Sequence, residues 1–199
     1  MAGNADLIEH YRQTHSQQVY GNTSVKYLRF LRPEITLLAP RSVIDYGCGQ
    51  SSLLEALALG PGVELLRYDP AIPRFAARPE GIADLLVCID VLEHIEERDL
   101  DDVLSDMRKL CREAIIVADT APAKHLLEDG RNSHVTLQPN AWWQDKISRH
   151  FGQLDPIKTP RRTRAGFRTW RRKPGDAQAY AWLRAKETLA YVAGRIARR

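Results

Sequence analysis

The sequence has few cysteines and no long apolar run. The three cysteines, Cys48, Cys88 and Cys111, are odd in number and lack the spacing of a zinc site, so we expect reduced thiols, a cytoplasmic protein and no metal ligands. No apolar run approaches the roughly 20 residues that cross a membrane, and the first residues lack the basic-then-apolar pattern of a secretion signal. These absences argue against a disulfide-stabilised secreted module and against a membrane-spanning protein.

The net charge is also small, but the basic residues are concentrated near the C-terminus. The 199 residues carry a net charge of +4 and suit one domain with a hydrophobic core. Residues 160–199 contain 12 Lys or Arg and only 2 acidic residues. Basic charge of this kind binds nucleic-acid phosphates or an anionic surface, and it also keeps strand edges solvated. Composition therefore leaves a nucleic-acid partner open.

Residues 43–54 predict a strand, a tight turn and the start of a helix. The first two, valine and isoleucine, are β-branched and apolar, as expected at the end of a buried parallel strand. Gly47 and Gly49 allow a sharp turn and the close approach of a ligand. Ser52 begins a capping-box pattern, and we expect its helix to end at Gly60. A strand, a Gly-x-Gly turn and a capped helix form the nucleotide site of a doubly wound α/β sheet.

A second strand, at residues 63–69, ends in an acid. Asp69 lies 20 residues beyond Gly49, the distance at which one βαβ unit returns the chain beside the first strand. A carboxylate there can accept both hydroxyls of a ribose, although an aspartate before Pro70 also suits a simple turn. Only residues 71–83 precede the next strand, too few for another helix and strand. We therefore expect the third strand to be missing or vestigial and the second to form a sheet edge.

The rest of the chain continues the α/β pattern. The predicted elements are apolar strands at 84–90 and 114–119, an amphipathic helix at 100–111, a closing antiparallel hairpin at 152–163 and 165–173, and a basic terminal helix at 177–199. We predict a Rossmann-like, mostly parallel sheet with a C-terminal antiparallel hairpin. Within a single domain, residues 1–40 would form a helical flap, residues 41–173 the core, and residues 174–199 a basic helix.

Two motifs resemble those of the class I S-adenosylmethionine (SAM) methyltransferases. The pattern Asp45-x-Gly47-x-Gly49-x-Ser51 is similar to motif I of that family, with serine in place of the last glycine. Residues 90–95, Asp-Val-Leu-Glu-His-Ile, look like the element that follows the fourth strand in one large group of these enzymes. The resemblance covers roughly residues 42–173, with motifs at four sites in the family's order. It implies a class I fold, SAM as cofactor, and in-line transfer of its methyl group to a nucleophile.

The resemblance also implies which residues bind the cofactor. Asp45 and the glycine loop would hold the methionine end of SAM, and Asp69 would hold the ribose. The aromatic faces of Tyr11, Tyr20 or Trp143 would favour the sulfonium cation. With a third strand expected to be missing or vestigial, the acid that usually lies near adenine has no obvious counterpart. The full cofactor-binding set is Tyr20, Asp45, Gly47, Cys48, Gly49, Asp69, Pro70, Ile89 and Asp90.

A polar loop supplies candidates for catalysis and acceptor binding. Residues 129–134, Asp-Gly-Arg-Asn-Ser-His, followed by two tryptophans at 142–143, look like a pattern found in a subset of small bacterial and phage methyltransferases. His134 is the first candidate for a general base and His94 the second, because an imidazole has a pKa near working pH. The candidate acceptor-binding residues are Glu93, Asp129, Arg131, Asn132 and Trp143. Alternatively, Arg131 and Asp129 only stabilise the loop through an ion pair, and Trp142 or Trp143 belongs to the core.

Three functions remain open from the sequence. The first is methyl transfer to an oxygen or nitrogen of a small-molecule or sugar-like acceptor. The second is a nucleic-acid methyltransferase that binds phosphates through Arg161–Arg172 and the C-terminal helix. The third is a non-catalytic SAM-binding scaffold. The chain has no Asn/Asp-Pro-Pro-Tyr/Phe motif and no Pro-Cys nucleophile, which disfavours standard base methylation. No pattern indicates an oligomeric state.

Overall fold

The computed structural model describes residues 2–17, 21, 23–127 and 129–196. The strands are β1 (Ser42–Tyr46), β2 (Glu64–Tyr68), β3 (Ala83–Ile89), β4 (Cys111–Asp119), β5 (Asp155–Pro156) and β6 (Arg164–Arg168). The α-helices are α1 (Ala2–Gln17), α2 (Leu28–Leu38), α3 (Leu53–Leu57), α4 (Leu100–Leu110), α5 (Asn140–Phe151) and α6 (Asp176–Ile196). Short 3-10 helices lie at Thr23–Tyr27, Pro73–Phe75, Leu92–His94 and Glu97–Asp99.

The strands form one mixed sheet in the order β2-β1-β3-β4-β6-β5. Strands β2, β1, β3 and β4 are parallel, whereas β6 runs antiparallel to both β4 and β5. This arrangement confirms the predicted α/β sheet with a C-terminal antiparallel hairpin. The hairpin strands are shorter than predicted, and β5 has only two residues, although the Ile157 amide still donates to the Gly166 carbonyl at 2.9 Å.

The third strand expected of the family is missing. Residues 69–82, all of which the structure describes, contain no strand, and the only regular element between β2 and β3 is the 3-10 helix Pro73–Phe75. The chain is held there by a turn in which the Asp69 amide donates to the Phe75 carbonyl at 3.0 Å. Strand β2 is therefore a sheet edge, as the short connection predicted.

Helix α3 begins differently from the predicted capping box. The side chain of Ser52 makes no capping hydrogen bond. Instead, the Ser51 hydroxyl accepts a hydrogen bond from the Leu53 amide at 3.0 Å. The helix ends after Leu57, where Ala58 adopts a left-handed conformation with a φ of 52°. The capping-box prediction is wrong by one residue, and the helix is shorter than expected.

Apolar side chains cover both faces of the sheet. Helices α4 and α5 pack on one face through residues such as Leu104, Met107 and Trp143. Helices α2 and α3 pack on the other face through residues such as Leu31 and Leu53. The central strands are apolar on both sides for this reason, as buried parallel strands require.

A buried cluster of charges joins α2 to the antiparallel edge of the sheet. The Glu34 side chain is only 1% exposed, and that of Arg168 is 5% exposed. The Arg168 guanidinium donates to both Glu34 oxygens at 3.3 and 3.1 Å and to Asp155 at 2.8 Å. Arg172 adds a further bond to Glu34 at 2.6 Å. Removing one member would leave an uncompensated charge in the interior.

Asp45, near the end of β1, is also a buried carboxylate, but unlike Glu34 it has no ion pair with any residue that the structure describes. Its Oδ2 atom has no hydrogen-bond partner among the described residues. Burial raises the pKa of Asp45 from its ordinary value of 3.8 to about 7; the Arg67 cation opposes this shift and the Asp69 carboxylate adds to it. The folded chain therefore holds a proton on Asp45 at mildly acidic pH.

We predict that Glu34→Gln lowers the free energy of unfolding by roughly 3 kcal/mol, because Arg168 then keeps its charge but loses its buried partner. Glu9→Gln is the matched control, since Glu9 pairs with Arg12 in solvent and its loss should change stability by less than about 0.5 kcal/mol. Urea denaturation measures both values. Equal effects of the two substitutions would contradict the assigned role of the buried pair.

We predict that Asp45→Asn reduces the pH dependence of stability. In the wild type, the unfolded chain releases the Asp45 proton above about pH 4 but the folded chain keeps it until about pH 7, so this group makes stability fall across that window and level off above it. Asparagine has no such proton. The stability of the variant relative to the wild type should therefore rise by roughly 1.4 kcal/mol per pH unit within the window. If plots of unfolding free energy against pH, measured by urea denaturation, run parallel for the wild type and the variant, the raised pKa of Asp45 is wrong.

Candidate active site

A cavity opens at the carboxyl ends of β1, β2 and β3, beneath helix α1. Open α/β sheets place their ligands at this edge. The cavity wall includes the glycine loop, the turn after β2, the segment after β3 and the inner face of α1. Its main lining residues are Leu7, Ile8, Tyr11, His15, Gly21, Gly47, Gly49, Tyr68, Asp69, Pro70, Ala71, Asp90, Val91, His94 and Ile95.

Both predicted loop glycines are required by the backbone. Gly47 has a φ of 71° and Gly49 a φ of 51°, values that residues with a Cβ rarely adopt. A Cβ on Gly47 would lie 2.6 Å from a methyl of Val91, and one on Gly49 would lie 2.6 Å from the Gly21 carbonyl oxygen. The loop therefore passes close to the chain on both sides and leaves its backbone facing the cavity.

Asp69 fixes the position of the glycine loop. Its Oδ2 atom accepts a hydrogen bond from the Gly49 amide at 2.8 Å, and its Oδ1 atom accepts one from the Ala71 amide at 2.9 Å. Each carboxylate oxygen keeps a second lone pair for a ligand hydroxyl. Asp69 and the adjacent Pro70 both lie on the cavity wall, and their contact with a ribose stays a prediction.

Three other predicted cofactor residues lie behind this wall. Asp45, Cys48 and Ile89 are buried and do not line the cavity, so their side chains support the loop from below. Burial raises the pKa of the Cys48 thiol to about 12, and all three cysteines of the chain are buried free thiols. The structure therefore does not place these three side chains in contact with a ligand in the cavity. Tyr20, also predicted here, lies outside the described residues.

Asp90 lines the cavity, and its side chain belongs to an internal network. Its φ of 55° is unusual for a residue other than glycine, and the surrounding contacts hold it there. The Asp90 carboxylate accepts a hydrogen bond from the Tyr27 hydroxyl at 2.7 Å and pairs with Arg164 at 3.0 Å. Lys26 lies 3.6 Å away, and Arg164 also pairs with Asp119. The network rigidifies the turn after β3.

Helix α1, which lies within the predicted N-terminal flap, covers the cavity with Leu7, Ile8, Tyr11 and His15. The Tyr11 hydroxyl lies 2.7 Å from Nδ1 of His94, and the side-chain amide Nε2 of Gln50 donates to the His15 carbonyl at 2.9 Å. The sequence reasoning included Tyr11 but missed Leu7, Ile8 and His15. Their spacing along a helix places them on one face, and this pattern was the available signal.

Glu93, His94 and His134 meet at the end of the cavity near β3 and β4. The two imidazole rings are edge to face, with centroids 4.8 Å apart. Nδ1 of His94 lies 2.9 Å from the Ser133 carbonyl oxygen, and Nδ1 of His134 lies 2.6 Å from that of Ala121. His94 lines the cavity, whereas His134 lies against it and Glu93 is completely buried.

The burial of this cluster changes its protonation. Burial, and then the neighbouring His134, lowers the pKa of His94 to about 3. Burial also lowers the pKa of His134, while it raises that of Glu93 well above the ordinary value. Both imidazoles are neutral at pH 7. His94 faces the cavity but is a weak base, and His134, the first candidate for the base, does not line the cavity.

The remaining predicted acceptor-binding residues have structural positions. Trp143 is completely buried in the core, so its prediction as an acceptor contact is wrong. The Asn132 side chain holds the loop, because it exchanges two hydrogen bonds with the Ala123 backbone at 2.9 and 3.0 Å and accepts a third from the His134 amide. Arg131 pairs with Asp129 and with Glu96 at 2.6 and 2.7 Å. This charged pair lies beside a second cavity and not the first.

Three of the 12 basic residues in residues 160–199 form ion pairs inside the protein. Arg164, Arg168 and Arg172 belong to the two internal networks described above, and the first two are nearly buried. Half of the six arginines in the predicted phosphate-binding segment Arg161–Arg172 are thus engaged in internal ion pairs. This weakens the case for a nucleic-acid interface on that segment. Among the helices that the structure describes, none has the length and apolar character needed to cross a bilayer.

Known structures with the same fold are distant in sequence. An O-methyltransferase family protein from Burkholderia thailandensis is 17% identical with a TM-score of 0.52, covering 69% of this chain and 52% of its own. Human N-acetylserotonin methyltransferase in complex with SAM is 15% identical with a TM-score of 0.51, covering 71% and 50%. The methyltransferase domain of bacterial CtHen1-CN is 16% identical with a TM-score of 0.52, covering 72% and 98%. The chain spans about half the length of the first two proteins.

A family comparison is more specific than these structural matches. No curated protein sequence matches the chain at a significant level. The model of a methyltransferase domain family matches residues 15–159, which include the glycine loop, Asp69 and the Glu93–His94–His134 cluster. The structural matches show the mixed sheet of that fold. The chain therefore belongs to this methyltransferase domain family, and the predicted class I SAM-dependent methyltransferase is confirmed at the level of family and fold.

Proposed function

We propose that the chain binds SAM in the cavity beneath α1 and transfers its methyl group to a hydroxyl oxygen of a small-molecule acceptor. The observation that carries the proposal is the hydrogen bond between the Gly49 amide and Asp69. It holds a backbone loop and a carboxylate on adjacent walls of one cavity. The methionine end of SAM would lie along the loop, and the ribose hydroxyls would donate to Asp69.

Methyl transfer in this cavity depends mainly on positioning. SAM would supply the methyl group: the acceptor oxygen would bond to the methyl carbon as the carbon–sulfur bond breaks, S-adenosylhomocysteine would leave with that electron pair, and the hydroxyl proton would pass to water. His94 is the cluster member on the cavity wall, so the acceptor hydroxyl would lie beside it. The apolar residues of α1, Leu7 and Ile8, would exclude water above the reacting atoms.

Two observations favour a small-molecule acceptor over a nucleic acid, and a third favours an enzyme over a scaffold. Helix α1 covers the cavity, and this cover admits a small molecule more easily than a folded nucleic acid. The basic strand β6 uses its arginines internally. Two proteins of similar fold are named as an O-methyltransferase family protein and as N-acetylserotonin methyltransferase, which supports an enzyme over a scaffold.

Isothermal titration with S-adenosylhomocysteine tests the cofactor site directly. We predict binding by the wild type and at least a roughly tenfold loss of affinity in Gly49→Ala, because the new Cβ would collide with the Gly21 carbonyl, which cannot move aside alone. Gly60→Ala is the matched control, since Gly60 also has a positive φ, of 97°, but its Cβ would meet no atom within 4 Å.

Absence of heat with the wild type would overturn the proposed function. Equal affinities in the two glycine variants would show that the loop does not shape the site. For the acceptor, release of S-adenosylhomocysteine from SAM in the presence of phenols, sugars and short RNA separates the candidates. Turnover with RNA alone would reject the small-molecule proposal.

A further inference from the structure

Glu93 has no partner for its charge in the interior. Its side chain is 0% exposed, and neither carboxylate oxygen has a hydrogen-bond donor among the residues that the structure describes. Leaving such a group unpaired costs several kcal/mol, so buried carboxylates normally face a cation or several donors. The nearby cations Arg164 and Lys26 pair with Asp90 instead. Within the described part of the chain, the Glu93 carboxylate therefore lacks the cation or the hydrogen-bond donors that a buried carboxylate requires.

The two histidines beside Glu93 are oriented to offer lone pairs. A carbonyl oxygen only accepts hydrogen bonds, so the Ser133 and Ala121 carbonyls beside Nδ1 of His94 and of His134 favour the hydrogen on that atom in each ring. The Tyr11 hydroxyl, 2.7 Å from Nδ1 of His94, then accepts from it and donates to the Ser133 carbonyl at 3.4 Å. In each neutral ring the lone pair is then on Nε2. Metal-binding histidines are typically held in this way, with the other ring nitrogen donating to a backbone carbonyl.

One ligand atom from each of Glu93, His94 and His134 lies within 4.8 Å of the others. Metal–ligand bonds of about 2.0–2.2 Å place neighbouring ligands roughly 3–4 Å apart, so closure around an ion requires only a small movement. We propose that Glu93, His94 and His134 form a binding site for a divalent transition-metal ion. Two nitrogens and one carboxylate suit Zn²⁺, Mn²⁺, Co²⁺ or Fe²⁺ and not Ca²⁺ or Mg²⁺, which prefer oxygen.

The site gives the acceptor a specific partner. Three protein ligands leave a coordination position open, as in catalytic metal sites, and His94 places the cluster at the cavity wall. An acceptor hydroxyl bound to the ion would be oriented and acidified, with its proton released to water. The imidazoles would then act as ligands and not as bases. This role in catalysis depends on the proposed function, but ion binding itself does not.

Metal binding is measured on the tag-free, full-length protein after chelator treatment and dialysis. Titration with Co²⁺, followed by visible absorption and competition with Zn²⁺, gives stoichiometry and affinity. We expect one ion per chain and a rise in Tm with Zn²⁺. Glu93→Gln and His134→Ala should each weaken Zn²⁺ binding beyond the roughly 10–100-fold cost of losing a group that only orients a ligand. His150→Gln, which removes a histidine bonded to Ser105 and Asp101, should bind as the wild type does.

The wild-type titration decides the proposal even if a variant fails to fold. Absence of Co²⁺ and Zn²⁺ binding by the wild type would overturn it, and so would binding by folded Glu93→Gln and His134→Ala at the affinity of His150→Gln. S-adenosylhomocysteine titration of the same samples separates the two proposals. Cofactor binding without metal binding rejects only the ion site, whereas metal binding without cofactor binding rejects only the proposed function.

Discussion

The hydrogen bond from the Gly49 amide to the Asp69 carboxylate is the contact on which the site depends. It joins the turn after β1 to the end of β2, and these neighbouring parallel strands are in register along their length. Because both Asp69 oxygens accept from backbone amides, the carboxylate and the glycine loop keep fixed relative positions. The rest of the site, including the cover provided by α1 and the turn at Asp90, is arranged around this fixed edge.

The features that the sequence predicted well are those determined by local rules. A glycine with a positive φ, a strand of β-branched residues and a connection too short for another strand each show in a few adjacent residues, and Gly47, Gly49 and the lost third strand were found in this way. Features that depend on distant contacts were not. Trp142 and Trp143 are adjacent, and only the packing of α5 against the sheet determines that Trp143 is completely buried.

Charge in the sequence was a poor guide to charge on the surface. Arg164 and Arg168 alternate along β6 with residues that face the core, and in the sequence they look like solvated positions. Two of their partners, Asp90 and Glu34, are more than 70 residues away, so no local pattern reveals those two pairs. The same is true of Glu93 and His134, which lie in different segments and were each predicted singly but become a cluster only through the fold.

The lost third strand shows which parts of this architecture can be removed. The glycine loop follows β1, which is an internal strand of the sheet, and Asp69 follows β2, which is the edge strand. Deletion of the peripheral strand therefore removes one row of pairing without touching either group, and the turn at residues 69–75 seals the exposed end. Under the proposed function, the ribose would still meet Asp69, whereas the adenine would lie beside an edge that has lost the strand whose acid usually accompanies it.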